Sequence, residues 1–325
     1  MKAVHFSTGG PLGLVDWEDP VPGIGEVLVK VRATALNRAD LLQVKGLYPP
    51  PPGESELLGL EISGEVVATG PGAHRWKKGD RVCALLAGGG YAELVAVHED
   101  MLMPIPDNLS FEQAAAIPEV FLTAYQVLVY LAKVQKGQRV LIHAGASGVG
   151  TAAIQMVRKI GAQCMVTASA GKHERCLRLG ADRAVDYNKE DFEEEVLEWT
   201  SGEGVEVIVD VIGGSYLPKN LRCLHTDGRL IQLAFMGGAL VDGIDLGLIL
   251  RKRLHLMGST LRARTLGYKV QLTNDFMRDY WDLFAAGELV PVIDSVYNWR
   301  EAEAAHEYMA SNKNQGKIIL VIDGV

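Results

Sequence analysis

The sequence predicts an α/β protein in which a doubly wound parallel sheet is joined to a β-rich domain. The chain has 325 residues, of which 48% are apolar and 22% charged, and this is more than one globular domain normally uses. Its first third contains short apolar runs separated by glycine and proline, and its middle alternates apolar runs with helical periodicity. These observations together predict two domains.

Short strands are predicted in the first third at residues 26–36, 62–69, 80–86 and 91–97. The pattern changes at Ser110, which forms a capping box with Gln113 and precedes apolar residues at helical spacing over 114–131. A helix is therefore expected to lead into the second domain.

The middle of the chain reads as a βαβ series. Near-continuous apolar strands are predicted at residues 139–143, 163–168, 205–211, 229–235 and 254–261, with helices at 151–160 and 173–179. A helix at 274–286 and a strand at 317–322 do not continue that series. This tail is expected to return to the first domain.

Charge and composition exclude several classes of function. Subtracting 40 acidic from 32 basic residues gives a net charge of −8, which disfavours nucleic acid and anionic lipid as partners. The basic residues of 251–253 with Arg262 and Arg264 form the one candidate patch against this trend. No secretion signal, no membrane span and no paired cysteine motif is recognised, so we expect a cytoplasmic protein with free thiols.

A dinucleotide site is predicted after the strand at 139–143. Residues 144–150 read Ala-Gly-Ala-Ser-Gly-Val-Gly and are followed by a helix, so backbone N–H groups of the turn and helix start would face phosphates. The spacing is G-x-x-G-x-G, with Ser147 where the usual fingerprint has its second glycine. The alternative is a glycine turn that serves only close helix packing.

The end of the next strand favours a phosphorylated nucleotide. Sites for NAD place an acidic residue there to bind the ribose 2′-hydroxyl. This strand ends in Ala-Ser-Ala-Gly-Lys, in which Ser169 offers a hydroxyl and Lys172 a cation. We therefore expect NADPH, the alternative for Lys172 being a solvated lysine at a helix start.

Several segments resemble a known family. They are Ala-Leu-Asn-Arg-Ala-Asp at 35–40, Leu-Gly-Leu-Glu-Ile-Ser-Gly at 58–64, Lys-Gly-Asp-Arg-Val at 78–82, Ala-Ala-Ala-Ile-Pro at 114–118 with Leu-Thr-Ala at 122–124, and residues 140–150. On these segments the chain resembles the zinc-free medium-chain dehydrogenase/reductases of the zeta-crystallin-like NADPH:quinone oxidoreductase type. Within that type it is most similar to the tumour-suppressor-inducible branch, on residues 143–155, Ile-Gly-Gly-Ser-Tyr at 212–216 and residues 312–317.

The resemblance implies a GroES-like catalytic domain formed by residues 1–120 with 265–325. It implies a Rossmann domain at 121–264 and NADPH in the cleft between the two. A homodimer is expected through the apolar edge strand at 254–261, because such an edge otherwise invites aggregation.

No metal is expected. Catalytic zinc needs three protein ligands, and zinc-dependent relatives have a cysteine and a histidine where this chain has Asn37 and Leu60. His173 and Cys176, three residues apart on a predicted helix, offer two ligands only.

The resemblance also implies the catalytic and cofactor-binding residues. Tyr48 would stand over the nicotinamide or pack against the prolines that follow it, and Asn37 would bond a quinone oxygen or the carboxamide, or cap a turn. The predicted cofactor-binding residues are Tyr48, Thr123, Gly145, Ser147, Gly148, Val149, Gly150, Ser169, Lys172, Tyr187, Phe235, Met236, Leu261 and Lys317. Plain core packing is the alternative for Phe235, Met236 and Leu261, and an exposed strand lysine is the alternative for Lys317.

The function that the resemblance implies is metal-free transfer of hydride from NADPH to a quinone, with ortho-quinones as the expected class. A quinone is already electrophilic, so positioning against the nicotinamide supplies much of the catalysis. Two alternatives stay open, namely an enoyl or alkenal reductase, and a crystallin-like binding protein that retains the cofactor fold.

Overall fold

The computed structural model describes residues 1–7 and 10–323 and divides the chain into two compact units. Unit 1 comprises Met1–Leu122 and Leu261–Val325, and unit 2 comprises Thr123–Thr260. The sequence placed these boundaries at 120/121 and 264/265.

The structure contains β-strands and α-helices that are numbered here in chain order. The strands are β1 (Lys2–His5), β2 (Gly13–Asp16), β3 (Glu26–Ala35), β4 (Glu61–Thr69), β5 (Arg81–Leu85), β6 (Leu94–His98), β7 (Leu102–Pro104), β8 (Arg139–His143), β9 (Gln163–Ala168), β10 (Arg183–Asp186), β11 (Val205–Asp210), β12 (Leu224–Gln232), β13 (His255–Gly258), β14 (Ile293–Asn298) and β15 (Lys317–Val321). The α-helices are α1 (Arg38–Val44), α2 (Phe111–Ala115), α3 (Pro118–Tyr125), α4 (Gly148–Ile160), α5 (His173–Leu179), α6 (Phe192–Trp199), α7 (Tyr216–Cys223), α8 (Leu246–Lys252), α9 (Leu266–Ala285) and α10 (Ala302–Ala310).

Unit 1 is organised around β3. This strand pairs with β4 along one edge, and on its other edge its first half pairs with β6 and its last three residues pair with β15. The full order of this sheet is β14-β15-β3-β4-β5-β7, with β6 beside β3. The tail of the chain therefore returns to the first domain, as expected, and joins its sheet.

Unit 2 contains a six-stranded parallel sheet in the order β10-β9-β8-β11-β12-β13. Numbered along the chain within the unit, this is the 3-2-1-4-5-6 order of a doubly wound nucleotide-binding fold. The order of the strands reverses between β8 and β11, and ligands of such folds bind beyond the carboxyl ends of the strands at that point. The predicted fold class is confirmed.

Several predicted elements differ in extent. The predicted helix at 114–131 is interrupted because Pro118 starts a new helix, and its last part, Gln126–Leu131, is π-helical. The predicted strand at 229–235 ends at Gln232, and the edge strand at 254–261 is only His255–Gly258. The helix predicted to begin at 274 begins at Leu266, where the Thr265 hydroxyl accepts from the N–H of Tyr268.

One helical stretch of the described residues, Phe111–Leu131, is long and apolar enough to cross a membrane. Most of it, 78%, is buried inside the protein, which is typical of a core helix. The four cysteines, Cys83, Cys164, Cys176 and Cys223, are buried free thiols.

Candidate functional site

The phosphate-binding turn of unit 2 is tightly packed. A Cβ atom added to Gly145 would lie 2.5 Å from Cβ of Val166 on β9, and one added to Gly150 would lie 2.5 Å from the carbonyl oxygens of Ala144 and Gly145. Ala144 has a left-handed backbone with φ of 55°. These contacts explain why glycine stands at both positions, and they bring the first turn of α4 against the end of β8.

Ser147 is the N-cap of α4. Its Oγ accepts a hydrogen bond from the N–H of Gly150 at 3.0 Å, while Gly148 and Val149 begin the helix. An N-terminal helical turn presents N–H groups that lack partners within the helix, together with the positive end of the helix dipole. The turn therefore has the geometry of an anion site, and the sequence predicted its position.

A buried network of polar side chains lies next to this turn at the ends of the parallel strands. His143 Nε2 lies 2.8 Å from Oδ1 of Asn220 and Nδ1 lies 3.0 Å from Oγ1 of Thr167, while Asn220 donates to Asp210 at 3.0 Å. Burial lowers the pKa of His143, so the neutral ring donates to Asn220 and accepts from the Thr167 hydroxyl.

This network joins the carboxyl ends of β8, β9 and β11, three adjacent strands of the parallel sheet. Asp210 also accepts from the N–H groups of Ile212 and Gly213. Sequence reasoning missed the network, although a histidine at the end of the apolar strand 139–143 was visible.

The end of β9 lacks a carboxylate within residues 168–173. Ser169 and Lys172 lie in the short turn that leads into α5, where His173 also binds the carbonyl of Ala168 at 3.0 Å. On the neighbouring strand β10, Asp186 ends the strand and Tyr187, 49% exposed, follows it.

Asp186 is a carboxylate that the sequence analysis did not weigh. It pairs in register with Ala168, and it accepts from the N–H and side-chain amide of Asn188. These hydrogen bonds hold the pKa of Asp186 below its usual range. The carboxylate is thus ionised and is hydrogen-bonded within the turn that follows β10.

Four of the predicted cofactor-binding residues differ in their exposure to solvent. Phe235 and Met236 lie beyond the end of β12 and are 62% and 46% exposed, so core packing is wrong for both. Leu261 in unit 1 and Thr123 on α3 are buried.

Unit 1 contains a charged cluster, which we call the carboxyl cluster and define as the buried residues Asp40, Glu61, Lys317 and Arg262 with the half-buried Glu119. Its centre is an ion pair of 2.7 Å between Lys317 Nζ and Glu61 Oε1, both almost completely buried. The other oxygen of Glu61 accepts from the backbone N–H of Glu119 at 2.9 Å. The alternative for Lys317, an exposed strand lysine, is therefore wrong.

The register of the sheet creates this pair. Ile319 of β15 pairs with Ala35, and the N–H of Leu36 donates to Ile318, so Lys317 lies beside the end of β3. Glu61 begins β4 on the opposite edge of β3.

Asn37 connects the two charges. Its Oδ1 accepts from Lys317 at 2.7 Å, and its Nδ2 donates to Glu61 at 2.9 Å and to the carbonyl of Ala35 at 3.2 Å. Its backbone N–H donates to Asp40 at the start of α1. Both hydrogens of the Asn37 amide therefore form hydrogen bonds within the protein. Asn37 could donate a hydrogen bond to a ligand only if one of these bonds were broken.

Tyr48 lies against Arg262 in the same unit. The guanidinium carbon of Arg262 is 5.3 Å from the centre of the Tyr48 ring, and Nη1 donates to the Tyr48 carbonyl at 3.2 Å. Burial and the nearby Glu119 raise the pKa of the Tyr48 phenol. Within the part of the chain that the structure describes, the phenol has no hydrogen-bond partner.

Asp40 belongs to a second buried chain of polar groups. It accepts from the N–H groups of Asn37 and Gly59, and Tyr91 Oη lies 3.4 Å from Asp40 and 3.2 Å from His306 Nε2. Burial raises the pKa of Asp40 to about 6 and lowers the pKa of His306 to about 4.

Two family models match the chain. One is described as an alcohol dehydrogenase GroES-like domain and matches residues 23–107, and the other is described as a zinc-binding dehydrogenase and matches residues 179–320. The human synaptic vesicle membrane protein VAT-1 homolog is 33% identical over 318 residues, which are 93% of this chain and 80% of that protein.

Two solved structures are similar over the whole chain. Escherichia coli quinone oxidoreductase complexed with NADPH has a TM-score of 0.88 and 30% identity, over 99% of this chain and 100% of that chain. The apo JamJ enoyl reductase has a TM-score of 0.88 and 28% identity, over 99% of both chains.

The fold and these likenesses define a pyridine-nucleotide-binding oxidoreductase. More narrowly, the chain belongs to the medium-chain dehydrogenase/reductase family, in its zinc-free, quinone oxidoreductase-like branch.

One of the two family descriptions mentions zinc binding, but the residues present in this chain do not form a zinc site. Beside Asn37 stands the ammonium group of Lys317, whose three hydrogens go to Leu36, Asn37 and Glu61. Among residues 1–7 and 10–323, no group of three or more histidine, cysteine or acidic residues could hold a metal ion.

Replacing Lys317 by methionine tests the centre of the carboxyl cluster. Lys317→Met leaves Glu61 buried without its cation, so urea denaturation should show a loss of about 3–5 kcal/mol in the free energy of unfolding. The exposed Lys313→Met is the matched control and should change it by less than about 0.5 kcal/mol. Adding Glu61→Gln to Lys317→Met should recover part of the loss, whereas a strictly additive double variant would show that the two charges do not interact.

Proposed function

We propose that this protein is an NADPH-dependent quinone reductase that transfers hydride from nicotinamide C4 to a quinone without a metal. The observation that carries this proposal is the set formed by Asn37, Glu61 and Lys317, in which an amide stands where zinc-dependent relatives have a cysteine and an ammonium group lies beside it. A site without a metal Lewis acid suits an acceptor that is electrophilic by itself, as a quinone is. The similarity to Escherichia coli quinone oxidoreductase supports the same acceptor.

The choice of NADPH rests on the end of β9. A ribose 2′-phosphate would be repelled by a carboxylate there, and the turn offers the Ser169 hydroxyl and the Lys172 ammonium instead. The pyrophosphate would bind the turn at Gly145 and the start of α4, and Tyr187 would pack beside the adenosine.

On this proposal, further residues surround the nicotinamide and the quinone. The bound nicotinamide supplies the hydride, and the protein groups hold and orient the reactants. We propose that Tyr48, Thr123, Phe235, Met236 and Leu261 contact the nicotinamide or the quinone directly. Lys317 acts on them through Asn37, to which it donates a hydrogen bond.

A second candidate is an enoyl or alkenal reductase. The similarity to JamJ enoyl reductase favours it, and such an enzyme needs a group that protonates the α-carbon. NADPH oxidation measured side by side with ortho-quinones, para-quinones, enals and enoyl thioesters separates the two activities. If the protein reduces enoyl thioesters and does not reduce quinones, it is an enoyl reductase and the quinone reductase proposal is wrong.

The oligomeric state is proposed from the free edge of the unit 2 sheet. β13 pairs with β12 on one side only, and Leu256 on this strand is 40% exposed. We propose a homodimer in which two β13 strands pair antiparallel.

Lys172→Ala tests the nucleotide preference. Loss of a charge-assisted hydrogen bond to phosphate costs about 1.5–3 kcal/mol, so KM for NADPH should rise roughly tenfold or more while KM for NADH changes little. Lys159→Ala removes the same charge from the last turn of α4, and both constants should stay near those of the wild type. Equal increases for both nucleotides in Lys172→Ala would contradict the assignment.

Tyr48→Phe tests the role of the phenol. If the hydroxyl donates to the carboxamide or the quinone oxygen, removing it should lower kcat/KM roughly tenfold or more, with the unfolding midpoint unchanged. If the ring only packs against Arg262 and the prolines, phenylalanine preserves the contact and rates stay within about twofold. Tyr308→Phe on α10 is the control and should leave the kinetics unchanged.

The dimer is tested by light scattering at micromolar concentration. The wild type should have twice the mass of one chain, and Leu256→Lys should shift it toward the monomer because a charge at the centre of the paired strands is unfavourable. Leu177→Lys, at another exposed leucine of unit 2 on α5, should leave the dimer intact. A wild-type monomer would rule out the pairing.

A further inference from the structure

Arg262 has a buried donor without a protein partner. Its Nη2 is unpaired within residues 1–7 and 10–323, although Nε binds Ala87 and Nη1 binds Tyr48. For the same described residues, the half-buried carboxyl group of Glu119 and the half-buried phenol of Tyr48 have no hydrogen bond. Buried polar groups are normally paired, so the unpaired Nη2 of Arg262 indicates the place of a ligand, and the Tyr48 ring lies beside this guanidinium.

Charge counting shows which acid of the carboxyl cluster keeps its proton. Three carboxyl groups share two cations, Lys317 and Arg262. Lys317 is held by Glu61 at 2.7 Å, and Asp40 is stabilised by two backbone N–H groups. Glu119 has neither kind of support, so it is the acid that remains neutral.

The electrostatics of Glu119 agree with this count. Burial and the negative charge of Glu61 raise the pKa of Glu119 to about 8, and Asp40 acts in the same direction, while Lys317 and Arg262 oppose the shift. Tyr48 is a further titratable group close enough to Glu119 for the two to interact electrostatically. At neutral pH the group is a carboxylic acid with a proton to donate.

We propose that Glu119 is the proton donor of the reduction and that Nη2 of Arg262 binds the oxygen on which negative charge develops. The proposal rests on the proposed quinone reduction, in which NADPH is the two-electron reductant. Hydride addition leaves a hydroquinone anion, whose oxygen takes the proton of Glu119. The O–H bond of Glu119 breaks, its electron pair stays on the carboxylate, and water later restores the proton.

This assignment predicts a specific pH dependence. Glu119 is protonated below about pH 8 and ionised above it. The kcat of the wild type should therefore be constant around neutral pH and fall about tenfold per pH unit well above pH 8. Glu119→Gln keeps the shape of the side chain but has no transferable acid proton. Its kcat should be about 10²–10³-fold lower and should lack the alkaline fall.

The control is Glu112→Gln, which changes a carboxylate in the first turn of α2 outside the carboxyl cluster. It should keep the rate and the pH profile of the wild type. A Glu119→Gln variant within about twofold of the wild type, with the same alkaline fall, would refute the proton-donor role.

A measurement without turnover separates this proposal from the quinone assignment. In protein labelled with ¹³C at glutamate carboxyl groups, the signal absent from Glu119→Gln identifies Glu119, and its NMR titration should have a midpoint near 8. A midpoint near 4.5 would refute the proton donor even if quinones are reduced. Titration near 8 with no quinone-dependent NADPH oxidation would instead overturn the quinone reduction on which the proposal rests.

Arg262→Lys tests the oxygen-binding half. Lysine keeps the charge but lacks the planar fork that reaches Ala87, Tyr48 and a ligand together. We expect kcat with quinone to fall tenfold or more while the NADPH dissociation constant, from nucleotide fluorescence, changes less than twofold. An unchanged kcat would show that Arg262 only holds the Tyr48 loop and would refute its contact with the oxygen.

Discussion

The buried ion pair between Lys317 and Glu61 is the interaction on which the candidate active site of unit 1 depends. It forms because β15, from the far end of the chain, pairs with β3, whose other neighbour β4 begins at Glu61. A buried pair of this kind gains little net stability by itself, yet loss of either partner leaves a costly unpaired charge. The pair therefore fixes the place of Asn37 and the start of α3, which both bind its members.

The same pair determines the chemistry left to its neighbours. Because Lys317 is committed to Glu61, Leu36 and Asn37, its charge does not neutralise a second carboxylate by direct contact. Glu119 then sits beside a negative charge with no ion pair of its own, and its proton is retained. In zinc-dependent relatives a metal would stand near the position of Asn37. Here the fixed cation is an ammonium, and the reactive groups that we propose are an acid, a phenol and a guanidinium.

The parts of the fold set by local sequence could be predicted, and the parts set by distant pairing could not. The turn at 144–150 was predictable because an apolar strand, small residues and a helix follow one another directly. Lys317 was expected at the surface or in the cleft, since nothing near it in sequence shows that Glu61 lies opposite. Phe235 was placed at a strand end, but β12 ends at Gln232 and the side chain is exposed.

The polar groups at the two candidate ligand sites differ in how far the protein satisfies them, and this contrast indicates where each kind of ligand belongs. In unit 2, His143, Asn220 and Asp210 satisfy one another, so they stiffen the strand ends below the phosphate-binding turn and leave recognition to backbone N–H groups. In unit 1, Arg262 keeps a buried unpaired donor, and the half-buried carboxyl group of Glu119 has no hydrogen bond among the described residues. A rigid, satisfied support suits a nucleotide whose phosphates bind the backbone. Unpaired side chains suit the reacting oxygen, because they stabilise charge that appears only during the reaction.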